Sequence, residues 1–92
     1  MWISEWEWDD DNLRELARHG ASRRVVLEMY RRGPRFRRNK RHRAASHQMI
    51  GPDSGGAMWV VCIVESHARR GTWRAITGWP AEEEDIMWYG KH

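Results

Sequence analysis

The chain has 92 residues, a length that suits one domain with a single thin core. Its 40% hydrophobic and 32% charged residues make a globular balance and exclude a disordered chain. One cysteine excludes an internal disulfide, and no apolar run approaches the ~20 residues of a membrane span.

A reducing, cytoplasmic home is therefore expected, and the start Met1-Trp2-Ile3-Ser4-Glu5 lacks the basic and apolar parts of a secretory signal. The net charge of +3 hides a strong asymmetry. Residues 1 to 11 carry five acids and no base. Residues 14 to 43 carry twelve of the sixteen Lys and Arg against Glu15 and Glu28, a local net of +10. Charge on that scale points to one basic surface rather than a general property of the chain.

Taken in order, residues 2 to 8 alternate and predict a half-buried strand, with Trp2, Trp6 and Trp8 inward and Ile3, Glu5 and Glu7 on the other side. Asp9-Asp10-Asp11 supplies N-caps and a negative first turn for a helix carrying Leu13, Leu16 and Ala17, which Gly20 ends. Ser22 caps a second helix with a stripe of Val25, Val26, Met29 and Tyr30, ended by Gly33-Pro34. The two helices form a helical hairpin joined at His19-Gly20-Ala21.

The basic block Arg35 to Arg43 follows, with six Lys or Arg in nine residues. An edge strand, or the loop before one, is expected there. Ala45 to Ile50 predicts a short strand and Gly51 to Gly56 a turn. Ala57 to Val64 is the most apolar run and is assigned to the centre of the sheet. Thr72 to Trp79 is the last strand. Pro80 is expected at the first position of a closing helix, with Glu82, Glu83 and Glu84 in its first turn. Helices outside a run of consecutive strands make a single α+β domain over residues 1 to 92, with an antiparallel meander.

Glu7-Trp8-Asp9, Asn12, His19-Gly20-Ala21-Ser22, Met49-Ile50-Gly51 and Trp73-Arg74-Ala75-Ile76 together resemble the BrnT-type toxins. The resemblance runs over most of the chain and is thin in its middle. It implies a RelE/ParE-like fold and membership of a group of small toxins, many of which cleave RNA and are neutralised by an antitoxin. Two departures stand out. Trp79 occupies the place of the second arginine of the family's last strand, and Ser46-His47 stands where an arginine is common.

Metal-independent RNA cleavage needs a base, an acid and cations on the phosphate. His47 is the candidate acid or base, because imidazole titrates near neutrality, and Arg74 is the candidate phosphate clamp. Arg43 and Lys40 are candidates for further electrostatic support. Arg35, Arg37, Arg38, Lys40, Arg41 and Arg43 are the candidate nucleic-acid contacts, and the same cations suit an acidic protein. Glu65 is a weaker candidate base. Trp79, Trp88 and Tyr89 suit base stacking or core packing, and His19 suits a helix C-terminus. No zinc spacing exists, and Cys62 fits a core position, so no metal or other cofactor is expected.

The expectation is thus an RNA-binding toxin acting as an endoribonuclease. Its expected partners are RNA and a cognate antitoxin of ribbon-helix-helix or helix-turn-helix type, as a homodimer or hetero-oligomer. The alternative is a non-catalytic module on the same fold that binds nucleic acid or protein.

Overall fold

A computed structural model describes residues 1–40 and 44–92. It is an α+β fold with one five-stranded mixed sheet and three helices, in the order β1 (Glu5–Glu7), α1 (Asp10–Ala17), α2 (Arg23–Arg31), β2 (Arg35–Arg38), β3 (His47–Pro52), β4 (Met58–Glu65), β5 (Thr72–Pro80) and α3 (Glu83–Lys91). The spatial order is β1-β5-β4-β3-β2. Strands β2 to β5 form the expected antiparallel meander, while β1 pairs in parallel with the start of β5. The apolar run of β4 sits in the middle, and the basic strand β2 lies at one edge.

Local chemistry explains the helices. The Asp9 carboxylate accepts from the Asn12 N–H and the Ser22 hydroxyl from the Val25 N–H, each satisfying a donor that the first turn leaves unpaired. Gly20 takes a φ of 85° between the helices, a left-handed conformation that costs other residues more. Helix α1 then packs on β5 and α2 on β3. A Cβ at Gly78 would stand 3.1 Å from the Val60 carbonyl and 3.4 Å from Leu16, so the bare backbone is what lets α1 lie so close. Leu16, Val26 and Met29 meet Met49, Val61, Ile63 and Ala75 beneath the two helices, all fully buried. Trp6, Trp8, Tyr30 and Phe36 pack around that core.

Three expectations shift. The first strand spans Glu5–Glu7 alone, with Trp2 80% exposed and Ile3 buried. Ser4 and Glu5 both donate their N–H to the Gly71 carbonyl, which interrupts the two-residue period and sends Ile3 into the same core as Trp6. Gly51 and Pro52 belong to β3, opposite Trp59 and Met58. The turn is left to Asp53–Gly56, where the Asp53 carboxylate accepts from the Gly55 and Ala57 N–H groups. Pro80 ends β5 opposite Trp59 rather than opening α3, and the Ala81 N–H still donates to the Met58 carbonyl beyond it. Helix α3 begins three residues after Pro80, behind Glu82. No helix among the described residues is long and apolar enough to cross a membrane.

Candidate functional site

Side chains directly opposite one another on neighbouring strands share a face. His47 pairs with Ile63, and Ile63 pairs with Ala75, so His47 belongs to the face covered by α1 and α2. Its ring stands edge-on to Trp73 with centroids 5.6 Å apart, and its Nδ1 lies 2.8 Å from the Ser46 hydroxyl. Arg74 precedes Ala75 and pairs with Val64 and Glu7, on the opposite face. The structure therefore does not bring His47 and Arg74 together.

Arg74 instead closes a cluster at the start of α1. Its guanidinium donates to the Asp9 carboxylate and, at 2.9 Å, to the Asn12 side-chain oxygen. Its Nε lies 3.3 Å from the Glu7 carboxylate, within ion-pair range but not aligned for a hydrogen bond. The Asn12 N–H holds the Asp9 carboxyl below the usual carboxylate range, and Arg74 adds to this against the opposing effect of burial. Two carboxylates thus neutralise this arginine, which ties β1, α1 and β5 into one unit.

The other face carries a polar row across four strands: Arg37, Gln48, Cys62 and Thr77 are successive cross-strand partners. Arg37 Nε donates to Gln48 Oε1 at 2.8 Å, and the Thr77 hydroxyl donates to Glu15 at 3.3 Å. Gln48 lies over the buried Cys62, with its amide nitrogen 3.9 Å from the sulfur. Burial pushes the Cys62 thiol up to about 11, which keeps it an inert core group.

Helix α3 docks beside this row on the basic strand. Arg37 donates to Asp85 at 2.7 Å and stacks on Trp88, 4.9 Å from the ring centroid. Arg35 donates to the Tyr89 carbonyl at 3.0 Å and lies over the Tyr89 ring. Two cations of the block therefore hold the C-terminal helix. Arg38 and Lys40 are exposed and make no ion pair among the described residues. Arg41 and Arg43 lie outside the described residues.

A groove of about 920 Å³ opens between α3 and the polar row. Arg37, Arg38, Lys40 and Gln48 line it from β2, β3 and the segment between them, and Glu82, Glu84, Asp85 and Trp88 from α3 and its N-cap. Trp79 and His19 complete its wall. Trp88 is already in use, stacked by Arg37 and by His92, whose ring lies 4.6 Å away. Trp79 is half-buried, and among the described residues no ring or guanidinium stacks on it. Glu65 accepts from the Gly71 N–H at 2.7 Å and closes the β4–β5 turn away from the groove. No group of three His, Cys, Asp or Glu side chains among the described residues could hold a metal ion.

His19, Pro80, Glu82 and Glu84 are groove residues that the sequence leaves in structural roles. The acidic run Glu82-Glu83-Glu84-Asp85 is the available signal, because it is the natural complement of the basic block. No protein-family model, no curated protein and no solved structure matches the chain.

Proposed function

We propose that the chain is a small RNA-binding protein with a RelE/ParE-like fold, the toxin half of a toxin–antitoxin pair in the cytoplasm, and that RNA lies in the groove beside α3. The observation that carries this reading is the convergence on one groove of Arg38 and Lys40, two cations with no ion pair among the described residues, and Trp79, an indole on which no described ring or guanidinium stacks. Phosphate on the cations and a base on the indole is the combination by which single strands are held. The arginine-to-tryptophan departure at Trp79 then exchanges a phosphate contact for a stacking one.

Strand cleavage is a second reading, favoured by His19 in the groove wall. In that reaction a base takes the 2′-hydroxyl proton, the oxygen attacks phosphorus, and the bond to the 5′-oxygen breaks as that oxygen is protonated. The products are a 2′,3′-cyclic phosphate and a 5′-hydroxyl. His19, rather than His47 acting with Arg74, is the histidine that lines this groove among the described residues. The alternative remains a module that binds nucleic acid or an acidic protein and does not cut. The cognate partner is a DNA-binding antitoxin.

Incubation of a labelled single-stranded RNA with wild-type protein, His19→Ala and His47→Ala, with EDTA present, separates these readings. Cutting lost in His19→Ala alone supports cleavage in the groove. Binding without cutting supports the module. Absence of binding removes the RNA reading altogether.

A further inference from the structure

The groove is not uniformly basic, and α3 brings to it a carboxylate that no described residue engages, Glu84. Asp85 is held by Arg37 and by the Glu82 N–H. Glu82 sits at the N-cap of α3, in a capping box with Asp85. Glu84 is exposed and has no hydrogen bond or ion pair among the described residues, yet it lines the same groove as Arg38, Lys40 and Trp79.

A polyanion entering this groove has one favourable orientation. Phosphates are drawn to Arg38 and Lys40 and repelled by Glu82, Glu84 and Asp85, so the α3 side receives a base edge rather than backbone. A carboxylate offers two acceptor oxygens and no donor. Guanine alone among the four RNA bases presents two adjacent donors, N1–H and the N2 amino group, that match this fork. Cytosine and adenine each offer a single amino group. Uracil offers one N–H flanked by two carbonyl oxygens that the carboxylate repels. In a single strand these edges are free to be read.

Building on the RNA-binding reading above, we infer that Glu84 is a specificity residue that selects guanine for the base stacked on Trp79. The carboxylate accepts from guanine N1–H and N2–H, while Arg38 and Lys40 hold the neighbouring phosphate. Selection among bases thus comes from α3, the element that the basic strand itself positions.

The test uses four fluorescein-labelled uridine octamers, unsubstituted or with one central guanosine, adenosine or cytidine, titrated by anisotropy with the full chain. The guanosine octamer is expected to bind roughly tenfold tighter than the unsubstituted one, the scale of a bidentate base contact. Glu84→Gln, whose thermal melt checks its fold, is expected to bring that ratio close to one. Trp79→Ala is expected to weaken all four octamers together. Equal binding of the four by wild-type protein, or a guanosine preference that survives in Glu84→Gln, overturns the base assignment and leaves RNA binding standing. Failure of every octamer to bind overturns the RNA reading, and this inference with it.

Discussion

Under α1 and α2 the sheet presents Met49, Val61, Ile63 and Ala75, all fully buried against Leu16, Val26 and Met29. On its other face, the neighbouring positions present Arg37, Gln48, Cys62 and Thr77. The first face is closed by apolar burial, which has no direction and leaves no room. The second also buries Cys62, Gln48 and Thr77, but it carries α3 through two arginines, and a groove remains beside the helix. One sheet thus gives a rigid core and, a side-chain alternation away, a surface with directional groups for a ligand. Stability belongs mainly to the first face and recognition to the second.

That division can be broken from either side. Met29→Ala empties a fully buried site on the closed face and is expected to cost ~2–5 kcal/mol of unfolding free energy, read from urea denaturation. Arg37→Ala strips Asp85 and Gln48 of a shared donor and takes the cation from Trp88. It is expected to cost less, ~1–3 kcal/mol, and to raise hydrogen exchange in α3 before the core. Equal protection loss in α2 and α3 would contradict the separate roles of the two faces.

A smaller effect is expected from Asp53, at the β3–β4 turn. The Trp59 indole N–H, 3.0 Å from its carboxylate, together with the Ala57 and Gly55 N–H groups, holds its pKa below the ordinary 3.8 against the opposing effect of burial. The unfolded chain therefore binds more protons in that window, so stability rises with pH there. The contribution is present above the ordinary value and lost as the pH falls through the lowered one. Urea midpoints measured from about pH 5 down to about pH 2 should fall less steeply in Asp53→Asn than in the wild type.

Much of the scaffold is local and therefore visible in the residues. Asp9 and Ser22 announce their helices by capping chemistry, and the β-branched run from Val60 to Val64 announces a central strand. The block Arg35–Arg38 is an edge strand because a row of arginines is poorly suited to burial on both sides. Features that depend on distant partners are not visible in this way. The parallel pairing of Glu5–Glu7 with Thr72–Arg74 joins the two ends of the chain, and neither segment encodes the other's register. Pro80 fits a helix start as well as a strand end, and only its place opposite Trp59 decides between them. The pairing of His47 with Arg74 fails for the same reason. Each is a reasonable catalytic type, but strand register assigns them to opposite faces, and Glu7, Asp9 and Asn12 claim the arginine. The groove was partly legible as charge in residues 35 to 43. Its α3 side required the fold to bring Glu84 into the same groove as Lys40.

The most direct measurement compares Arg38→Ala/Lys40→Ala with Arg74→Ala in binding a single-stranded RNA across a range of salt concentrations. Loss of the two groove cations should weaken binding and lower the slope of log affinity against log salt by about 1.4, two contacts at ~0.7 each. Arg74→Ala should leave affinity and slope unchanged while lowering the melting temperature, because its charge is already taken up by Glu7 and Asp9. Unchanged binding in the double variant, or a loss of binding in Arg74→Ala with its fold intact, would contradict the assignment of RNA to the groove.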